Sequence, residues 1–147
     1  MATFSIVGYD PKTGDLGVAV QSKFFAVGSV VPWAKAGVGA VATQSYANVD
    51  YGPEGLERLA KGQSARETVD ALTKADANRR LRQLGIVDAK GRSASFTGSG
   101  CKHWAGHIEK PNFCAQGNIL TGEEVVRSMV SSYEQARKKT RTGLCDW

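Results

Sequence analysis

The sequence predicts an α+β fold in a single domain over residues 1–147, built from mostly antiparallel sheet covered by helices. Three observations lead there. Strand-like segments come in adjacent pairs joined by short turns. Helix-like segments come in blocks instead of alternating with strands, as a wound parallel sheet would require. Two helix-start signatures, Ser64-Ala-Arg-Glu67 and Thr121-Gly-Glu-Glu124, place a hydroxyl and a carboxylate three residues apart ahead of apolar runs.

In chain order, residues 3–10 and 16–23 are rich in β-branched side chains and flank a turn opened by Asp10 and Pro11, with Gly14 able to take positive φ. They predict an antiparallel hairpin that begins almost at the N-terminus, where a chain normally frays unless something holds it. Residues 24–31, apolar on both faces, predict buried irregular β-structure, and Pro32-Trp33 should interrupt any central ladder. Residues 38–44 predict a third strand whose small residues, Gly39, Ala40 and Ala42, permit close backbone approach. A short helix is expected over residues 54–61, with Pro53 near its first turn and Gly62 as its stop. Ser64 then opens a second helix with a stripe of Val69, Leu72 and Thr73, and Asp76 caps a brief turn through Arg80. Residues 84–88 and 93–97 predict a second hairpin around Gly91, and Gly98-Ser-Gly-Cys101 a flexible loop. Residues 104–108 and 113–117 predict two further strands. Val125, Val126, Met129, Val130 and Tyr133 form the apolar face of a long final helix, which can cover a different sheet face from the earlier helices.

The totals bound function. With 41% hydrophobic and 22% charged residues the chain has the composition of a soluble globular domain, which excludes a disordered one. The net charge of +5 gathers in Arg79-Arg80, Arg82 and the run Arg137-Lys138-Lys139 with Arg141, with no interleaved aromatics. Such runs read as solvated helix faces, so no nucleic-acid partner is expected. Neither a membrane-spanning apolar run nor a secretory leader is recognisable, and a cytoplasmic home is the simplest expectation. Cys101, Cys114 and Cys145 are odd in number and lack zinc-site spacing, so they read as reduced thiols. His103 and His107 lie near Cys101 without an acidic residue at ligand spacing, and neither a metal nor a cofactor is expected.

Two groups of residues invite a chemical reading. A Thr that begins a chain combines a hydroxyl nucleophile with an amine base of ordinary pKa ~7.7–8, and a nearby Lys depresses that pKa by like-charge repulsion. Thr3 heads the first strand and Lys23 closes the second. The structural alternative makes Thr3 a strand residue and Lys23 an edge charge. Gln44, Asn48, Gln116 and Asn118 sit at strand ends, where an amide can bind a substrate or an oxyanion, although turn-making is the commoner work of Asn.

The runs Thr3-Phe-Ser-Ile-Val, Gly17-Val-Ala-Val-Gln-Ser-Lys-Phe-Phe-Ala-Val-Gly28, Val31-Pro-Trp-Ala, Ala36-Gly-Val-Gly-Ala-Val-Ala-Thr-Gln44, Tyr51-Gly and Gln116-Gly-Asn-Ile-Leu120 closely resemble the bacterial and archaeal family called domain of unknown function 1028. That family looks like a branch of the N-terminal nucleophile (Ntn) hydrolases. The resemblance implies a four-layer αββα sandwich, here lacking its C-terminal part. It also implies Thr3 as nucleophile, Lys23 as the group that tunes its amine, and Gln44, Asn48 and Asn118 around a small-molecule substrate. The expected chemistry is hydrolysis of a small amide-type bond through an acyl-enzyme. Met1 and Ala2 precede Thr3, so this mechanism needs Ala2 removed. The family generally continues past the final helix, whereas residues 140–147 match nothing in it. Lost strands would bare a sheet edge and favour a homo-oligomer. The alternative from another class is a non-catalytic ligand-binding or assembly module on the same fold.

Overall fold

A computed structural model describes residues 2–139. Residues 140–147, with Cys145 and the chain ending discussed above, lie outside the described residues. The elements run β1 Thr3–Tyr9, β2 Leu16–Ser22, β3 Pro32–Lys35, β4 Gly39–Ser45, α1 Tyr51–Ala60, α2 Ala65–Ala75, β5 Arg82–Asp88, β6 Ser93–Thr97, β7 Gly106–Lys110, β8 Phe113–Asn118 and α3 Glu123–Lys139. Single 3-10 turns occupy Val27–Ser29 and Arg79–Leu81.

The strands form two antiparallel four-stranded sheets, ordered β2-β1-β8-β7 and β3-β4-β5-β6. Alternation along each strand divides the core into layers. Val41, Leu84 and Ile86 face outward from the second sheet and pack with Leu59, Val69 and Leu72 of α1 and α2. Phe113 and Ala115 face outward from the first sheet and meet Val126, Val130 and Tyr133 of α3. The intervening positions, Val7, Ala40, Ala42, Val87 and Cys114, close the space between the sheets. Small residues at 40 and 42 let the two sheets approach. Burial pushes the Cys114 thiol up to about 12, so it sits in this layer as an inert thiol.

The first hairpin forms as expected, and its register sets Thr3 opposite Ser22 and Tyr9 opposite Leu16. The Ser64 capping box is complete: the Ser64 hydroxyl accepts from the Glu67 amide, and the Glu67 carboxylate accepts from the Ser64 amide. In the second hairpin Gly91 takes φ 75°, as the turn requires.

Four expectations are corrected. Residues 24–30 are not buried β-structure but a largely exposed crossover from one sheet to the other, with Phe25 93% exposed and Ala26 turning the chain at φ 55°, and only Val31 of the predicted run is buried. Pro32-Trp33 does not interrupt a ladder. It begins β3, an edge strand, where a residue without an N–H is tolerated. The Gly98 loop, expected to be flexible, is a turn tied down by its Gly98 and Gly100 amides, which donate to the carbonyls of Arg82 and Arg80. Helix α1 also starts earlier than expected, at Tyr51, because Asn48 caps the entering turn: its Oδ1 accepts from Asp50 N and its carbonyl from Tyr51 N.

A polar knot joins these elements. Asp76, just past α2, accepts from Arg82 Nε at 2.8 Å, Tyr51 OH at 2.9 Å and the Asn78 amide at 2.7 Å. The Arg82 guanidinium and these donors hold the Asp76 carboxyl down to about 2, from an ordinary 3.8. A lowered folded-state pKa gives stability that is complete above the unfolded value and is lost as pH falls through the folded one. Asp76→Asn is therefore expected to cost about 2 kcal/mol at pH 7, and the cost should shrink between pH 4 and pH 2. Urea denaturation of both proteins across that range checks it.

Candidate functional site

Between the sheets the side chains change character along the strands, from the apolar Val7, Ala40 and Val87 to Ser5, Gln44, Gln83 and Gln116. All four polar residues are buried and share one network. Ser5 Oγ donates to Gln44 Oε1 at 2.7 Å and accepts from Gln116 Nε2 at 2.7 Å. Gln83 is the hub. Its Oε1 accepts from Gln44 Nε2 at 2.8 Å and Asn118 Nδ2 at 3.0 Å, while its Nε2 donates to Thr97 Oγ1, Gly117 O and Gly106 O at 3.0, 2.8 and 3.2 Å. Gly85 makes room for this network: a Cβ there would lie 2.7 Å from Gln116 Cδ and 2.8 Å from Nε2, and the fully buried Gln116 amide could not yield without leaving Ser5.

Where the network ends, the layer opens into a cleft of about 390 Å³. Thr3, Ser22, Gln44, Ser45, Lys102 and Asn118 supply its polar lining, and Phe24, Val27, Val30, Val31, Tyr46 and Ile119 much of its apolar wall. Thr3 Oγ1 lies 2.8 Å from Ser22 Oγ, which also accepts from the Phe24 amide. Ser22 can thus pass its own proton to Thr3 or receive the proton of Thr3.

Two wall residues carry strained backbone. Ser45 and Ile119 follow Gln44 and Asn118 directly and adopt φ 69° and 57°, the left-handed region that costs a non-glycine residue roughly 1–2 kcal/mol. Neighbouring contacts hold them: Ile119 N donates to Lys102 O, Leu120 and Trp104 exchange backbone hydrogen bonds, and Tyr46 N donates to Leu81 O. Paired strain of this kind at a cleft rim is characteristic of functional sites.

The structure brings together three of the residues singled out from sequence. Thr3, Gln44 and Asn118 all line the cleft. Gln116 lies behind them in the network. Asn48 does not line the cleft and makes the turn into α1 instead. Lys23 is exposed one residue past β2, between the cleft residues Ser22 and Phe24, and its side chain makes no hydrogen bond or ion pair with the described residues. Lys102 is the charged residue in the described lining. Sequence reasoning missed Ser22, although counting back from the hairpin turn places it opposite Thr3. It also missed Gln83, whose partners lie 14 to 39 residues away, and Lys102, for which the sequence carries no signal. No cluster of metal-ligating side chains occurs among the described residues, and His107 Nδ1 is 2.8 Å from Thr97 Oγ1 at the far end of the network.

Comparison with known proteins identifies the chain's relatives. A family of unknown function, DUF1028, matches residues 3–144, so the match runs past the final helix and corrects the expectation that residues 140–147 match nothing in the family. The chain belongs to the DUF1028 family. Among solved structures it is similar to the crystal structure of protein SPO2555 from Silicibacter pomeroyi, also of DUF1028, with 30% identity and a TM-score of 0.88 over 97% of this chain. This DUF1028 chain spans 62% of the SPO2555 chain. No curated protein matches it. The cleft described here lies wholly within the part that matches the family.

Proposed function

We propose that this chain is an Ntn-type hydrolase that cleaves a small amide-type bond through an acyl-enzyme at Thr3. The observation that carries the reading is the position of Thr3: the first residue of an interior strand, at the mouth of the cleft, with its hydroxyl 2.8 Å from a second hydroxyl and a locked amide, Asn118, in the same lining. Two sheets faced by helices on both sides are the layer order that an Ntn-like sandwich needs.

With Thr3 at the N-terminus, its free amine takes the hydroxyl proton as Oγ1 attacks the substrate carbonyl carbon. The proton passes to the departing amine as the carbon–nitrogen bond breaks, and water then hydrolyses the resulting ester. A cation beside the cleft keeps the amine unprotonated near neutral pH. Lys23 fills that role in the family-based reading, and Lys102 on the cleft wall is the other candidate.

A second reading, a non-catalytic ligand-binding or assembly module, is favoured by Ala2. Its side chain packs against the core beneath α3, and its carbonyl acylates the nitrogen of Thr3. A β-lactone probe separates the two. Ring opening by Thr3 Oγ1 leaves a stable ester whose site peptide mapping identifies. Labelling confined to Thr3 supports the hydrolase, whereas saturable ligand binding with no labelling supports the module.

A further inference from the structure

Hydrogen-bond accounting separates the two amides of the cleft. Gln44 has nothing left to donate: its two N–H groups go to Gln83 Oε1 and Gln116 O, while its Oε1 accepts from Ser5. Asn118, only 2% exposed, spends one N–H on Gln83 Oε1 and keeps the other, and its Oδ1 accepts nothing from the described residues. Asn118 lines the cleft. An amide anchored by Gln83, with hydrogen-bonding capacity left over, thus lines a space whose walls are mostly apolar apart from Thr3, Ser22, Gln44, Ser45 and Lys102.

Those walls are bare. Phe24 and Tyr46 are 51% and 52% exposed, and they stand on two different loops that meet at the cleft. Large aromatic surface left open beside a pocket marks a place where an apolar group is received. A group seated against Val27, Val30, Val31 and Ile119 meets no hydrogen-bonding partner from those four side chains, so that part of the cleft suits an apolar group. At about 390 Å³ the cleft is near the small end of ligand pockets, which run ~300–1,000 Å³.

We infer that the cleft takes a small amide whose polar head is held by Asn118 and whose other part is an aliphatic or aromatic group seated between Phe24 and Tyr46. This deepens the hydrolase reading by naming its substrate class, and it rests on that reading only for the fate of the bound amide.

The test is a series of straight-chain primary amides from acetamide to octanamide, titrated by calorimetry into the Thr3→Ala protein, so that binding is read without turnover. Affinity should rise about two- to four-fold per methylene and level off once the cleft is filled. Phe24→Ser and Tyr46→Ser, both at half-exposed positions and checked for folding by circular dichroism, should flatten that rise. Asn118→Ala should weaken every member by a similar factor. Affinity independent of chain length, no saturable binding at any length, or a rise untouched by both aromatic exchanges would overturn the inference. If the rise is found but the wild-type protein, tested alongside, turns over none of the amides, the ligand class stands and the hydrolase reading falls.

Discussion

Thr3→Ala is expected to lower amide turnover by roughly 10⁴-fold or more, the scale on which loss of a covalent nucleophile is felt. The fold should barely notice. Thr3 loses one partly buried hydrogen bond to Ser22, which amounts to ~1 kcal/mol or less, and its backbone pairing with Ser22 and Asn118 does not involve the side chain. Thr3→Ser keeps the hydroxyl and should retain substantial turnover, which separates loss of the nucleophile from a general disturbance of the cleft. Steady-state kinetics on the three proteins, with thermal denaturation alongside, reads both effects. Undiminished turnover by the alanine variant would remove Thr3 from the chemistry.

The largest effect on stability is expected at Gln83. Exchange to Leu keeps the volume roughly constant but leaves Asn118 Nδ2, Gln44 Nε2, Thr97 Oγ1 and the carbonyls of Gly106 and Gly117 without the hub they share. Each buried group orphaned costs ~1–3 kcal/mol, though partners that relax toward one another recover part of it. A net loss of about 3–5 kcal/mol follows, which for a chain of this size lowers the melting temperature by roughly 10 °C. Gln135→Leu, at an exposed position on α3 where the side chain bonds only Ser131 among the described residues, should change stability by less than ~0.5 kcal/mol. A loss below ~1 kcal/mol at Gln83 would show that the network is not the structural centre of the inter-sheet layer.

What the sequence disclosed and what it hid have physical causes. The first hairpin was legible because its turn chemistry is local and its register follows from the turn, which sets Thr3 opposite Ser22. Helix α2 was legible because a capping box is four residues long. Residues 24–31 misled because an apolar run between two strands has the composition of a buried strand, and only the crossing between sheets shows that Phe24 and Phe25 face outward. Gln83 escaped notice because its importance comes from partners brought in by four other strands. The strain at Ser45 and Ile119 has no sequence signature, since both are ordinary residues held in left-handed backbone by contacts distant in the chain. Lys23 and Asn48 stand apart from the cleft lining. Their types suited a site, but one sits just past a strand end and the other is spent on a helix start.

The most direct test of the account is intact and fragment mass spectrometry of the protein purified from its native host, before and after exposure to the β-lactone probe. The account predicts a chain that begins at Thr3 and gains the mass of one probe molecule on that residue alone. A chain that begins at Ala2 and gains no mass would contradict it, because an acylated Thr3 nitrogen has no free amine to act as base.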